Sequence, residues 1–589
     1  MRLSEAKATA SAALLLGALP LIAAHGDGNV ETEQEHHPNT TTGFQEALPN
    51  YFRHPHYSGW MYAHIALMVI SWVVVLPPAL MLSVARSRYH LLAQIIFHGI
   101  NGLGLFTGVI YNRSTPDLYV SNSHHPVGWI VTSFTMLWTF LSLAVAFAAA
   151  KRREEFDLVA PRSSSQSQTE DDPVQNYMDS PPTYRYSRDS GNFSGGSRSN
   201  SSESIFDKGE TVPLQDDREH DDFEHHHASE PRSVFRRNTV RCALAGAARF
   251  ALGTRTSATL RVMQVVLEKF LLLFGFLAIT SGFIVYGGLF RDREIYSGLA
   301  HYVKGGIFFW YGLLTLGRWM GTFAEFGWAW NVRPGHIQTS QWKSLVPSAE
   351  FTESFVIWLY GASNVFLEHL NNWGGSWSPQ DFEHISITIL FFGGGLFGMM
   401  IESRALRNLT SVPDQSRKST FEDTETTDSG FKLISENSAH LNQRTQPSNM
   451  NRISLNPMPA LTIMFLGMMM SGHHQSSMVS TMLHAQWGML FTGFAMARAV
   501  TYVMLYISPP TSHYPSRPPS ELVAAFCLTA GGLLFMNSAR DVVSTIESNG
   551  LDAMTIFTLT IGLTGVILAW ELVCYTMKIW VGRREQQRH

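Results

Sequence analysis

Cysteine is scarce in this chain: three in 589 residues, Cys242, Cys527 and Cys574. So few and so scattered, they exclude a disulfide framework and a thiolate-built metal site, which both need grouped cysteines. Charge is scarce as well. Charged residues make up 15% of the chain, against about 25% in an average soluble protein. Neither sign dominates, with a formal net charge of -4; nothing in it points to nucleic acid, and no nucleic-acid partner is expected. No phosphate-cradling loop, catalytic-triad motif or dinucleotide fingerprint occurs. Gly393-Gly394-Gly395 lies inside an apolar run and reads as close helix packing. Lys and Arg are absent altogether from 371–383 and 471–483.

What remains is apolar and segmented. Hydrophobic residues reach 45%, concentrated in long runs between very polar stretches. A run of roughly 20 apolar residues crosses the hydrocarbon core as a helix, and lipid cannot satisfy an open strand edge. Runs are read at 60–83, 90–111, 127–149, 266–290, 302–323, 351–370, 384–402, 457–472, 484–507, 521–539 and 553–577. The predicted fold is therefore all-α: a polytopic helical membrane protein with about 11 transmembrane helices.

The first residues set the expected orientation. Arg2 and Lys7, the apolar run Ser11 to Ile22 and the small pair Ala23-Ala24 have the form of a secretory signal over 1–24. Asn39-Thr40-Thr41 is a glycosylation sequon, in a predicted extracytoplasmic segment 25–59. The positive-inside rule agrees. Predicted inner segments hold Arg86, Arg88, Lys151, Arg152, Arg153, Arg236, Arg237, Arg241, Arg404, Arg407, Lys578, Arg583 and Arg584; outer ones hold Arg113, Arg291, Arg293 and Arg540. The N-terminus is expected outside the cytoplasm and the C-terminus in the cytosol. The expected location is a membrane of the secretory pathway, the plasma membrane first and an internal membrane second.

Between the spans lie two polar stretches. Residues 151–260 contain Ser163-Ser164-Ser165 and His225-His226-His227; residues 403–456 are rich in Ser, Thr, Asn and Glu. Neither can bury enough apolar surface to fold alone, so both are predicted to be disordered cytosolic loops, open to cytosolic partners. They divide the chain into a three-span block at 60–150, a four-span block at 261–402 and a four-span C-terminal block with a cytosolic tail at 457–589.

Histidine gathers at one predicted face. His64, His124, His125, His301, His369, His384, His473, His474 and His484 fall at the outer ends of spans, while His90 and His336 fall at the inner side. His98 lies roughly 12 Å into the second span at 1.5 Å per residue. Imidazole ligates transition metals and relays protons. A bis-histidine haem needs two imidazoles at one depth from two helices, and His64 and His125 meet that condition.

The first three spans resemble cytochrome b-561 type proteins, on His64-Ile65-Ala66-Leu67-Met68, Trp72, Pro77, Ala85-Arg86, Tyr89, His98, Gly102, Gly108 and His125-Pro126-Val127-Gly128. The resemblance implies electron transfer between haems. His64 and His125 would be the axial ligands of an outer haem b, and His98 one ligand of an inner haem. The fourth span departs from the pattern: no histidine occurs between 228 and 300, and Gln264 stands where the inner partner would be. The chain as a whole is similar to the fungal yeast putative transmembrane protein (Ytp) family. That likeness rests on the order of signal, three spans, polar insert and eight spans, and on Asn364-Val365-Phe366-Leu367-Glu368-His369 and Gly472-His473-His474-Gln475. It implies architecture and a fungal origin, but no activity.

A second constellation occupies the C-terminal spans. Glu368-His369 ends the sixth and Glu383-His384 begins the seventh, while His473 and His474 end the eighth and His484 begins the ninth. Carboxylates and imidazoles at one depth are ligands for zinc or iron. Met464, Met468, Met478 and Met482 add thioethers suited to copper(I). Glu571 and Arg498 fall in the inner halves of their spans, where a structural ion pair and a proton pathway are equally open readings, and Lys304 can snorkel. Three readings stand side by side. One is haem-based electron transfer with a small-molecule redox donor or acceptor. Another is transition-metal binding or transport. The third is a scaffold without a prosthetic group, regulated through its loops. Membrane lipid is a partner in all three.

Overall fold

The computed structural model describes residues 49–159, 254–291, 294–334, 341–368, 379–403, 455–472 and 477–588, with Leu406 and Gln475. The predicted signal, the Asn39 sequon, the His225-His226-His227 triplet and most of both polar loops lie outside the described residues. Among the described residues there is no strand, and eleven long helices fall on the eleven apolar runs. They are α1 (Ser58–Val84), α2 (His90–Ser114), α3 (His124–Val159), α4 (Thr254–Gly287), α5 (Glu294–Met320) and α6 (Ala349–Glu368). After these come α7 (Pro379–Glu402), α8 (Met458–Ser471), α9 (Met478–Ile507), α10 (Ser520–Asn537) and α11 (Ala553–Gln586). The chain divides into two compact units, residues 1–143 with 259–589, and residues 144–258. The described part of the second is helical, the end of α3 and the start of α4. Thus α3 outruns its predicted limit of 149, because Lys151 to Leu158 is a polar stretch of mostly good helix formers.

Eight of these helices are long and apolar enough to cross a membrane by length and composition, and α8 is a shorter apolar helix. The other two, α5 and α6, are long enough but carry Lys304, Arg318, Glu350 and Glu353. Exposed apolar side chains ring the bundle. Ile95, Phe106, Phe140, Val262, Ile389 and Met489 are each at least 60% exposed. Such a belt would be a liability in water and is the natural contact surface in a bilayer.

Sequence chemistry explains a break in α1. Residues Ile70–Val75 form a π-turn just before Pro77 and Pro78. The Val73 carbonyl would pair with the amide of residue 77 in an α-turn or 78 in a π-turn, and proline has none. Trp570 of α11 fills the gap, its Nε1 donating to Val73 O at 2.9 Å.

Small residues set the closest helix contacts. A Cβ on Gly305 would lie 2.6 Å from Gly532 O, and one on Gly532 2.5 Å from Phe309 N, so α5 and α10 touch backbone to backbone. Gly467 of α8 and Gly488 of α9 make the same kind of approach. Such contacts drive helix association where lipid removes the hydrophobic difference. Large side chains fill the rest. Trp72, Leu76, Phe97, Trp138 and Leu271 form one core among α1–α4. Phe308, Ile463, Trp487, Phe491 and Leu528 form another among α5 and α8–α10.

The end where α1 starts is called the near end and the other the far end. At the near end the turn after α4 clasps the molecule. Arg291 Nη2 donates to Pro49 O at 2.7 Å and Leu118 O at 3.0 Å. Phe290 N donates to Asp541 Oδ2 at 2.8 Å, in the short helix Arg540–Ser548. The N-terminal block therefore docks on the later helices at this clasp and along α11.

Candidate functional site

The N-terminal block brings two imidazoles together. The rings of His64 and His124 have centroids 6.4 Å apart at an interplanar angle of 76°. His64 Nδ1 lies 2.8 Å from Gly104 O; a carbonyl can only accept, so Nδ1 carries the proton. His124 Nδ1 lies 3.0 Å from Ser281 Oγ. That hydroxyl already donates to Ala278 O at 2.9 Å, so His124 Nδ1 is again the donor. Both rings are held in the tautomer whose Nε2 is a lone-pair nitrogen. Glycine makes the space: a Cβ on Gly108 would be 2.7 Å from the His64 ring, and one on Gly282 3.0 Å from the His124 ring.

His125 is exposed, and the structure sets its neighbour His124 against His64 instead. Adjacent residues on a helix point about 100° apart, so only one of the pair can face α1. His98 meets no second imidazole among the described residues. Its Nε2 is paired with Thr139 Oγ1 at 2.8 Å. A hydrogen-bond network centred on Glu268 stands across the bundle nearby. Glu268 Oε1 accepts from Ser83 Oγ, from Trp138 Nε1 at 3.2 Å and from Gln264 Nε2 at 3.0 Å. Gln94 Nε2 reaches Ser142 Oγ at 3.0 Å. The residues fit a metal held by two imidazoles at the near end and do not fit one at the far end.

A cavity of about 2170 Å³, open at its side, lies between the C-terminal helices and the faces of α3 and α4 that carry Val131, Phe134 and Phe274. Its near end is lined by His301, Glu383, His384 and His484, and its far end by Tyr311, Arg318 and Glu353. His301 and His484 each engage Nδ1 with the carbonyl four residues back, Ser297 O at 2.9 Å and Ser480 O at 2.8 Å. Among the described residues no group of three His, Cys, Asp or Glu side chains converges as a metal site. His369, His473 and His474 lie outside the described residues, as does the side chain of Glu368. Met468, Met478 and Met482 are exposed on helix surfaces. Asn364 points into the α6–α7 contact, where Nδ2 donates to Thr388 Oγ1 at 2.8 Å.

The feature that sequence reasoning missed is a buried chain of charges. Arg318 of α5 reaches Glu353 Oε1 at 2.5 Å and Glu350 Oε1 at 3.3 Å, both on α6. Arg498 of α9 reaches Glu353 Oε2 at 3.3 Å and Glu521 Oε1, on α10, at 2.7 Å. Trp330 stacks under both guanidinium groups, at 4.3 Å from Arg318 and 5.7 Å from Arg498. The candidate partner of Arg498, Glu571, is elsewhere: Glu571 faces Gly317, and its Oε2 is buried without a hydrogen bond. Glu350 and Glu353 were unremarked because they sit where α6 begins, and Arg318 because it sits where α5 ends.

Comparison with known proteins follows the two blocks. A model of the C-terminal domain of YTP1-like proteins matches residues 274–579. The chain belongs to the YTP1-like family. A domain of unknown function (DUF2427) matches residues 45–148, the block that carries His64, His98 and His124. An uncharacterized membrane protein of Schizosaccharomyces pombe is 31% identical over 90% of this chain and 96% of its own length. An uncharacterized membrane protein of Saccharomyces cerevisiae is 34% identical over 56% of this chain and 50% of its own. Protein YTP1 of the same yeast is 20% identical over 50% of each. No solved structure matches. The family and the helices together make this a multi-pass membrane protein.

Proposed function

We propose that the N-terminal block is a redox module in which His64 and His124 would hold one haem b. The observation that carries this reading is the imidazole pair itself. Two rings whose nitrogens lie about 2 Å from one metal have centroids roughly 6 Å apart, and here the separation is 6.4 Å. Metal-bound histidine characteristically donates its other ring N–H to a protein acceptor. Gly104 O and Ser281 Oγ are those acceptors. Bound there, the haem would supply one-electron transfer to a small donor or acceptor. The protein's part is to fix both tautomers, and to keep the rings oriented by glycine contact on α2 and α4. His98 has no partner imidazole among the described residues, so the reading is of one haem, not a two-haem relay.

A reduced-minus-oxidised visible spectrum of the purified protein tests it, with iron measured on the same sample. The expected result is a haem b signal with iron near one per chain, lost in His64→Ala and His124→Ala and kept in His125→Ala. Loss in His125→Ala and retention in His124→Ala would overturn the assignment.

A second reading has its own observation: His301, Glu383, His384 and His484 line one end of a single cavity. This supports transition-metal binding or transport through the C-terminal block. It predicts bound zinc, copper or non-haem iron that survives His64→Ala and is lost in a His384→Ala, His484→Ala double variant. Protein lacking both haem and metal when purified without chelator would favour a scaffold acting through residues 151–260 and 403–456.

A further inference from the structure

Glu571 and Arg498 share a depth, and the structure separates them. Arg498 meets Glu353 on α6 and Glu521 on α10. Glu571, on α11, meets no cation. Among the described residues it forms no ion pair, and its Oε2 is buried without a hydrogen bond. Its surroundings are apolar or neutral. Leu316 and Met320 of α5, Ala525 of α10 and Leu568 of α11 form a small core on which Tyr575 packs. Leu568 and Tyr575 stand three residues before Glu571 and four after it, so they share its helix face. A Cβ on Gly317 would lie 3.7 Å from both Glu571 Oε1 and Thr322 Oγ1.

We propose that Glu571 is a proton-binding site: it carries its proton while α11 lies against Gly317 of α5, and releases it to water at the far end when that contact opens. A bare carboxylate here would be an uncompensated charge among apolar groups, and such a group takes up a proton instead. The neutral acid needs one acceptor for its O–H, and the Thr322 hydroxyl faces the same point over Gly317. On release the O–H bond breaks, the proton passes to water and the carboxylate stays behind. No charged neighbour competes for this role. On α11 the buried Cys574 thiol lies beside Glu571, and Lys578 sits over the Tyr575 ring, 5.9 Å from its centroid. Arg318 of α5 is held by Glu350 and Glu353. Arg517, in the turn before α10, lies over Trp319 at 5.9 Å. Glu521 of α10 is taken by Arg498, and Tyr502 of α9 donates to Asn456 O at 3.0 Å. The titratable residues of α1, Tyr62 and His64, stand at its near end. The proposal is independent of the haem reading, because the N-terminal imidazoles take no part in it.

Infrared spectra of the reconstituted full-length protein at neutral pH test it, following the carbonyl stretch of carboxylic acids as wild type minus variant. The expected result is a band that moves in heavy water, is lost in Glu571→Gln and changes frequency in Glu571→Asp. It should stay in Glu350→Gln and in Glu353→Gln, which separates Glu571 from the charge chain. If Glu571→Gln does not fold, labelling of the wild type with dicyclohexylcarbodiimide decides, because this reagent modifies carboxyl groups that are protonated in apolar surroundings. The peptide containing Glu571 should then carry the label, and less of it as pH rises; an unlabelled peptide overturns the proposal. A band that persists in Glu571→Gln, a band lost in Glu353→Gln instead, or no band in the wild type overturns it as well. Gly317→Leu should wedge α5 from α11 and remove the band at neutral pH, and an unchanged band there overturns the link to the helix contact. A band that disappears when sodium replaces choline at constant pH means that the site takes a metal cation, and overturns the proton assignment.

Discussion

Single residues carry very different weights in this protein, and burial decides which. Lys343 is buried and pairs with Glu325 at 2.6 Å, but Glu325 is 41% exposed, so water takes over its carboxylate when the pair is broken and the loss is about 0–1 kcal/mol. Arg498 is 0% exposed. Truncating it leaves Glu521 buried and unpaired, which costs about 3–5 kcal/mol. Arg498→Met should therefore lower thermal stability strongly, and Lys343→Met hardly at all, as read by unfolding of the detergent-solubilised protein. A smaller residue effect has a pH signature. Asp552 caps α11, accepting from Thr555 N at 2.9 Å and from the Thr555 hydroxyl. Those hydrogen bonds hold its carboxyl below the usual aspartate value. A depressed folded value means that the cap stabilises above the unfolded pKa and is lost as pH falls through the folded one. Stability measured from pH 5 down to pH 2 should fall less in Asp552→Asn than in the wild type. At this scale the sequence was only half legible. It named His125 as the partner of His64, where the structure sets His124 against that ring, because facing depends on helix rotation. It offered Glu571 as a partner for Arg498 by depth alone, when the partners come from α6 and α10.

Elements were the most legible scale, because an apolar run long enough to span lipid has few alternatives to a helix. All eleven runs became helices, including α5 and α6, whose charges are turned inward. Two features escaped. The short helix Arg540–Ser548 buries Val542, Val543 and Ile546, but it is too short and too polar to read as a span. The π-turn in α1 depends on a partner nearly 500 residues away. Contacts between elements can be tested where no side chain intervenes. At Gly305 a new Cβ would meet the backbone of Gly532, which cannot rotate aside. Overpacking of this kind costs about 1–3 kcal/mol. Gly305→Leu should destabilise the protein and weaken protection of α5 and α10 in hydrogen exchange. Gly562→Leu, where nothing lies within 4 Å of the new Cβ, should do neither.

At the scale of the whole molecule the question is whether the two family-matched blocks act as one. The polar insert between α3 and α4 sets almost no limit on how far apart the blocks could sit, so sequence alone is silent. The structure joins them at the Arg291 clasp and along α1 and α11. The Trp570 bond is the more informative of these links, because it serves a carbonyl that proline chemistry has orphaned. In a bilayer the Val73 carbonyl has no water to turn to. Trp570→Phe keeps an aromatic ring in place and removes only the donor, leaving a buried acceptor unsatisfied at a cost of about 1–3 kcal/mol. If the blocks are one folding unit, that loss appears as a single shifted unfolding transition, and any haem signal from His64 and His124 melts with the tryptophan fluorescence of the C-terminal helices. If the contact is incidental, the variant unfolds like the wild type. Restoring Pro77→Ala and Pro78→Ala in the Trp570→Phe background separates the two cases further. Returning the amides gives Val73 O an intrahelical partner, so stability should recover in the triple variant only if the missing hydrogen bond was the cause.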